Sequence, residues 1–132
     1  MSEMRHEGRC LCGAVRYRVS AALEPVVACH CTQCRRQTGH FFASTDAAIS
    51  DVAIEGEENL RWYEASSAAR RGFCGICGSF LFWARPGSGR IAIAMGGFDG
   101  PTGTAIARHI FVADKGDYYM IDDGADQSPG AD

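Results

Sequence analysis

The seven cysteines of this 132-residue chain constrain its fold more than any other feature. They form a Cys-x-Cys pair, a Cys-x-Cys-x-x-Cys triplet and a Cys-x-x-Cys pair, which are Cys10 and Cys12, then Cys29, Cys31 and Cys34, then Cys74 and Cys77. An odd number of cysteines cannot pair completely into disulfides. In a reducing compartment, closely spaced cysteines are typical of metal sites or of catalysis. The grouping therefore predicts a metal-binding protein.

The two separated pairs supply enough ligands for a closed structural zinc site. Structural zinc is held by four protein ligands in a tetrahedron, and each short pair provides one rigid half of it. We expect Cys10, Cys12, Cys74 and Cys77 to form this site. It would connect the first strand of the chain to a hairpin that begins at Ser79.

The triplet has one ligand fewer, which is the pattern of a catalytic zinc site with an exchangeable fourth position. Cys29, Cys31 and Cys34 are therefore predicted to hold a second zinc, giving two zinc ions per chain. Three thiolates leave that zinc with a net charge of −1, which suits it to holding a thiol that it deprotonates. In the alternative, His40 is the fourth ligand and the triplet is another structural site.

Two arginines, Arg35 and Arg36, directly follow the last cysteine of the triplet. A guanidinium binds a carboxylate through two parallel hydrogen bonds, so either residue is a candidate for gripping a carboxylate of the substrate. The alternative is that these arginines, together with Arg9 and Arg71, only offset the negative charge of the thiolates.

The remaining sequence is typical of short strands. Val15, Tyr17 and Val19 alternate with charged residues, and Ser79–Ala84 and Arg90–Met95 flank a Gly- and Pro-containing turn that predicts a hairpin. A short helix capped by Thr32 is expected through Gln37. The sequence predicts a mainly β fold, with further strands near Phe41–Ser44, Val52–Glu55, Asn59–Glu64, His109–Val112 and Tyr118–Ile121.

Length and composition narrow the class of protein further. The chain has the size of one domain, which we place at residues 1–123, followed by a disordered acidic tail at 124–132. Apolar runs are too short for a membrane span, and the charged first residues lack the apolar segment of a signal peptide, so a cytoplasmic location is expected. A net charge of −3 and a pI near 5.8 argue against nucleic acid as a partner.

Five segments resemble one family along nearly the whole chain, from Gly8 to Asp123. They read GRCLCGAVRY, CHCTQCRRQTGHFF, GFCGICGSFLFW, IAIAMGGFD and HIFVADK. In sequence, order and spacing, these segments resemble those of the family of glutathione-dependent formaldehyde-activating enzymes, which also includes centromere protein V. The resemblance implies a small zinc-binding fold of the β-tent type, built from short antiparallel sheets, and the same division of the cysteines into a structural and a catalytic zinc site.

The resemblance also implies an activity. The family's assigned reaction joins glutathione to formaldehyde as S-hydroxymethylglutathione, formally that of a carbon–sulfur lyase. We therefore expect an enzyme of the S-(hydroxymethyl)glutathione synthase type, whose partners are a small thiol such as glutathione and a small aldehyde. His109 is a candidate proton donor if it lines the pocket, and a hydrogen-bonded structural histidine otherwise. The alternative function is a zinc-stabilised binding or thiol-carrier module without turnover.

Overall fold

The computed structural model describes residues 5–131. These residues form strands at His6–Arg9 (β1), Arg16–Val19 (β2), Val26–Cys29 (β3), Phe42–Ala48 (β4), Val52–Glu55 (β5), Leu60–Tyr63 (β6), Arg70–Cys74 (β7), Phe80–Ala84 (β8), Arg90–Ala94 (β9), Ile106–Ile110 (β10) and Asp126–Gln127 (β11). One α-helix covers Thr32–Thr38 (α1), and short 3₁₀ turns lie at Ile49–Asp51, Glu57–Asn59, Met95–Gly97 and Val112–Asp114. The predicted mainly β fold is confirmed.

The strands belong to two sheets. The smaller has the order β1-β2-β5, and the larger has the order β11-β10-β3-β4-β9-β8-β7-β6. Neighbouring strands are antiparallel except around β10, which runs parallel to both β3 and β11. The strand pair β8–β9 is the hairpin predicted from the sequence.

The hydrophobic core lies between one face of the large sheet and the small sheet. On β2, Tyr17 and Val19 are buried while Arg16 and Arg18 are exposed, as the alternation in the sequence predicts. On the large sheet, Phe82 and Ile93 are fully buried in the same cluster. The opposite face of the large sheet is therefore free of this core, and it carries the cysteine triplet.

Strand pairing defines which residues share that second face. Cys29 on β3 is paired with Phe42 on β4 and with Ile110 on β10. Side chains of directly paired residues point to the same side of a sheet. Cys29, Phe42 and Ile110 therefore form one row beside α1, and Ala28 and His109, which are also paired with each other, point to the other side.

The N-cap of the helix lies one residue before the predicted cap. The N-cap residue is Cys31, whose Sγ accepts a hydrogen bond from the Cys34 amide at 3.3 Å, whereas the sequence predicts Thr32. The helix ends at Thr38, and its C-cap Gly39 has φ of +84° and donates its N–H to the Arg35 carbonyl. Glycine is favoured at a left-handed position of this kind because a Cβ atom is sterically disfavoured there.

Two further sequence predictions differ from the structure. The described part of the predicted disordered tail, residues 124–131, is paired with the body of the protein, because β11 runs beside β10 and the Ser128 amide donates to the His109 carbonyl at 2.9 Å. The segment Tyr118–Ile121 is irregular and not a strand. Residues 1–4, which carry part of the charged N-terminal segment, and Asp132 lie outside the described residues. Within residues 5–131 no helix has the length and apolar character to cross a bilayer.

Candidate metal centre and the cavity beside it

The four cysteines of the two pairs converge at the ends of β1 and β7. Their Sγ atoms all lie within 4.8 Å of one another. The Cys10–Cys12 and Cys12–Cys74 sulfur distances are 3.7 and 3.8 Å. A tetrahedron with zinc–sulfur bonds of about 2.3 Å has edges of about 3.8 Å, so this arrangement fits a zinc ion.

Backbone N–H groups support sulfur as thiolate in the same cluster. The Val15 amide donates to the Cys10 sulfur at 3.3 Å, and the amides of Ile76 and Cys77 donate to Cys74 at 3.4 and 3.5 Å. Hydrogen bonds to an anionic sulfur favour its charged form. The tight turn that aims these amides closes at Gly78, where φ is +83° and the N–H donates to the Cys74 carbonyl.

The triplet is assembled from the end of β3 and the first turn of α1. Cys29 is the last residue of the strand, Cys31 caps the helix and Cys34 lies one turn further on the same side. Their sulfurs also lie within 4.8 Å of one another. Among residues 5–131 no other ligating side chain joins this group, so the arrangement fits a metal ion with three protein ligands.

His40 and His30, the two histidines nearest the triplet in sequence, are engaged elsewhere. His40 Nδ1 is hydrogen-bonded to the Tyr118 hydroxyl at 2.6 Å. His30 Nδ1 is hydrogen-bonded to the Tyr119 hydroxyl, and its ring is fully buried. The alternative in which His40 completes a closed site therefore finds no support in the described structure.

Arg71 is the basic residue that contacts the triplet. It lies on β7, and its Nη1 donates to the Cys34 sulfur at 3.6 Å. The amide oxygens of Gln37 and Gln33 on α1 accept from the same guanidinium at 3.3 and 3.2 Å. Only 4% of the Arg71 surface is exposed, so its charge acts on the sulfur with little screening by solvent.

This environment shifts the pKa values of Cys34 and Cys29 in opposite directions. A hydrogen bond from Cys29, followed by the hydrogen bond and charge of Arg71, lowers the pKa of Cys34 from its ordinary 9.0 to about 6, although burial acts in the opposite direction. The same Cys29–Cys34 hydrogen bond, together with burial, raises the pKa of Cys29. Cys34 is thus prepared to be a thiolate ligand near neutral pH.

The structure places the two predicted carboxylate-binding arginines differently. Arg35 Nη1 donates to the Asp114 carbonyl at 2.7 Å, so this side chain holds the turn after β10. Arg36 is exposed and lines a groove of about 370 Å³, shared with Gln33, Gln37, Tyr63 and Arg71. Of the two, Arg36 is the one that faces a space beside the triplet.

His109, the candidate proton donor, is not brought to the triplet. It lies on the other side of β10 from Ile110 and is 3% exposed. Its Nε2 donates to the Asp123 carboxylate at 2.8 Å, and its Nδ1 is hydrogen-bonded to His30 Nε2 at 2.9 Å. Burial and the neighbouring His109 lower the pKa of His30 to about 4, which agrees with a neutral His30 in this chain of hydrogen bonds.

A cavity of about 460 Å³ lies over the triplet and Arg71. Its walls come from the face of the large sheet that carries Cys29, and they are mostly apolar: Val27, Phe42, Trp83, Ala92, Ile110 and Phe111. From the sequence alone, Trp83 is interpreted as a core residue and Arg71 as a charge that offsets the thiolates, but both line this cavity. Trp83 lies in the predicted hairpin strand Ser79–Ala84, whereas no strand was predicted around Arg71, which lies on β7. The sequence therefore did not indicate what either side chain faces.

The fold and site together define a mainly β protein with two thiol clusters arranged for metal binding, one closed and one open. Residues 5–114 match a sequence model of the family described as glutathione-dependent formaldehyde-activating enzyme. The chain therefore belongs to this family, as its motifs predict.

Individual relatives agree with this assignment. An uncharacterized lyase of Schizosaccharomyces pombe is 32% identical over 79 residues, covering 60% of this chain and 57% of that protein. A Halomonas elongata protein with the provisional name glutathione-dependent formaldehyde-activating enzyme is 33% identical over 84 residues, covering 58% and 54%. The chain thus spans little more than half the length of these relatives. A Rhodobacter sphaeroides crystal structure superposes with a TM-score of 0.58 at 27% identity, covering 72% of this chain and 89% of that one.

Proposed function

We propose that this protein is a zinc-dependent enzyme of the carbon–sulfur lyase type that forms or cleaves an adduct of glutathione and an aldehyde, as in S-hydroxymethylglutathione. The observation that carries the proposal is the open triplet. Cys29, Cys31 and Cys34 bring three sulfurs together without a fourth protein ligand in the described structure, and they do so at the floor of a cavity. A site of this kind is suited to a reaction on an incoming ligand.

Each thiol cluster is proposed to hold one zinc ion, giving two per chain. Zinc in the triplet would supply a position where a substrate thiol is held as thiolate at neutral pH. The chain's own contribution is the charge and shape of the site. Arg71 offsets part of the negative charge of the sulfurs, and its hydrogen bonds to Gln33 and Gln37 fix the guanidinium against α1.

The two spaces beside the triplet suggest where the substrates bind. Glutathione has two carboxylates, and the groove lined by Arg36 and the two glutamines offers hydrogen-bond donors to them. The aldehyde would enter the cavity on the other side of Arg71. Holding both reactants at the same point supplies the acceleration mainly through proximity, because thiols and aldehydes already combine in water.

The bond changes are simple. The glutathione sulfur attacks the carbonyl carbon, a carbon–sulfur bond forms, and the carbonyl oxygen takes up one proton, so that the sum is thiol plus aldehyde. Since His109 lies on the opposite side of the sheet and is bonded to Asp123 and His30, we propose that water delivers this proton. The reverse sequence cleaves the adduct.

The closed cluster of Cys10, Cys12, Cys74 and Cys77 is proposed to be structural. It joins the β1–β2 loop to the turn after β7, two segments that are more than sixty residues apart in sequence. Structural zinc contributes directly to folding free energy. All seven thiols must stay reduced to bind metal, so we also propose a reducing, cytoplasmic location.

The proposal is tested by measuring the interconversion of glutathione and its formaldehyde adduct at equilibrium by exchange NMR. Wild-type protein should raise the exchange rate above that of buffer, and Cys31→Ser should abolish the increase. Serine is a good helix N-cap, so this variant keeps the capping hydrogen bond to Cys34. Thr32→Ala, an exposed change in the same turn, should keep the activity.

The same experiment separates the enzyme from the alternative of a thiol carrier. A carrier binds glutathione but leaves the exchange rate at its uncatalysed value. Binding without acceleration in the wild type would therefore contradict the proposed activity and favour the carrier.

A further inference from the structure

The cavity over the triplet is far larger than formaldehyde needs. Formaldehyde has two heavy atoms, whereas about 460 Å³ lies within the range of pockets that bind whole small molecules. A site built only for formaldehyde would gain nothing from such a volume. The size therefore calls for an occupant with several more carbon atoms.

The wall of the cavity follows from one row of paired residues across the large sheet. Arg71 on β7 is paired with Trp83 on β8, Trp83 with Ala92 on β9, and Ala92 with Asp46 on β4. These side chains point to the same face, with the indole between the guanidinium and the small Ala92. The row leaves open space above Ala92 and places an apolar surface next to Arg71.

Glutathione itself does not suit these walls. It carries two carboxylates and an ammonium group, and most of this wall, including Phe42, Trp83 and Ile110, offers such groups no partner. The charged lining residues are only Arg71, Asp46 and Arg85. The groove with Arg36 offers partners to such groups. Gln33 and Arg71 line both spaces, so the polar groove and the apolar cavity meet beside the triplet.

We propose, building on the function proposed above, that the aldehyde used by this site carries an apolar side chain of several carbons, which occupies the cavity beside Trp83 and Ala92. The glutathione peptide then lies in the groove with Arg36. The product is the corresponding hemithioacetal. Sulfur bonds to the carbonyl carbon as the C=O double bond becomes a single bond, the thiol releases its proton, and the carbonyl oxygen takes up one proton. Nothing is oxidised or reduced.

Binding of S-alkylglutathiones tests the cavity without requiring turnover. These thioethers resemble the adduct, and calorimetry with the S-methyl, S-butyl and S-hexyl compounds measures how affinity depends on the alkyl chain. Affinity should rise by up to about fourfold for each methylene that enters the cavity. Equal or falling affinity along the series would overturn the proposal.

A matched pair of variants locates the effect. Ala92→Leu fills the space beside Trp83 and should remove most of the dependence on chain length. Ala53→Leu makes the same change at an exposed position of β5, outside the cavity, and should preserve it. An unchanged dependence in a folded Ala92→Leu protein would contradict the assignment of the cavity.

Rates with two aldehydes separate this inference from the proposed function. Wild-type protein should accelerate the reaction of glutathione with butanal at least as strongly as that with formaldehyde, relative to buffer. Acceleration of formaldehyde alone would overturn the inference and leave the proposed function intact. Acceleration of neither aldehyde would overturn both.

Discussion

The Arg71 guanidinium lies against the Cys34 sulfur, with Nη1 and Sγ 3.6 Å apart and both side chains buried. This contact joins β7, which is four strands away from β3 in the order of the large sheet, to the helix that carries the triplet. It places a fixed positive charge beside three thiols that are negatively charged as metal ligands. We expect it to stabilise the metal-loaded form of the triplet.

Replacing Arg71 by Met should weaken zinc binding at the triplet by roughly tenfold to a hundredfold, the usual cost of removing a group that supports a metal ligand. Competition with a chelator of known affinity measures this. Arg70→Met is the control, because Arg70 is the preceding residue of β7 and its guanidinium stacks on Trp62 at 4.1 Å. Equal zinc affinity in wild-type and Arg71→Met protein would show that the charge does not support the site.

The two thiol clusters should differ in their effect on stability. Cys12→Ser opens the closed cluster and should lower the melting temperature by about 10 °C or more, since structural zinc contributes folding free energy. Cys31→Ser should change it by only about 3 °C, because serine preserves the helix cap. Calorimetric unfolding of both variants checks this. A Cys31→Ser protein that melts as early as Cys12→Ser would make the triplet a structural site.

Substitutions of the two arginines after Cys34 should have different effects on the KM for glutathione. Arg36→Ala should raise the KM for glutathione about tenfold, because it removes a charged hydrogen-bond donor from the groove. Arg35→Ala should leave that KM unchanged, since Arg35 is bonded to the Asp114 carbonyl. Steady-state rates at varied glutathione concentration distinguish the two. The reverse pattern would mean that glutathione binds on the Asp114 side of α1.

Tyr17 makes stability sensitive to alkaline pH. Its hydroxyl is buried without a hydrogen-bond partner in the described structure, and its ring packs against Phe82 and Phe98. Burial, with a smaller contribution from the Asp99 charge, raises the pKa of Tyr17 above the ordinary 10. The unfolded chain then loses this proton first, so the free energy of unfolding should fall as the pH rises above 10.

Tyr17→Phe removes this sensitivity and should raise the free energy of unfolding at pH 7 by about 1 kcal/mol, because an unpaired buried hydroxyl disappears. Denaturant unfolding at pH 7 and above pH 10 measures both effects. The control is Tyr63→Phe, where the side chain is exposed. A loss of stability in Tyr17→Phe at pH 7 would show that the hydroxyl has a partner.

The cysteine spacing was sufficient to predict the composition of both thiol clusters. Each group is so short that its members must share one turn. The closed cluster has four ligands and the open one has three, and this count distinguishes them. The hairpin of β8 and β9 was likewise predictable, because its apolar runs and its turn are local. These features depend on neighbours in sequence.

The surroundings of the triplet were not predictable, because they depend on long-range strand pairing. Arg71 reaches Cys34 across 37 positions of the chain, and a shift of one residue in β7 would turn it to the other face. His109 points away from the triplet for the same reason, whereas Ile110, one position further along β10, faces the cavity. The tail is acidic and glycine-rich, yet backbone hydrogen bonds to β10 order it, and composition does not reveal such pairing.

The most direct test of the open triplet is a calorimetric comparison of glutathione with S-methylglutathione on the zinc-loaded protein. Both ligands have the same carboxylates, but only glutathione can supply a thiolate as a fourth ligand. We predict that glutathione binds at least tenfold more tightly at neutral pH, and that Cys31→Ser removes the difference. Equal affinity of the two ligands for the wild-type protein would contradict the account, because the triplet would then not hold the substrate thiol.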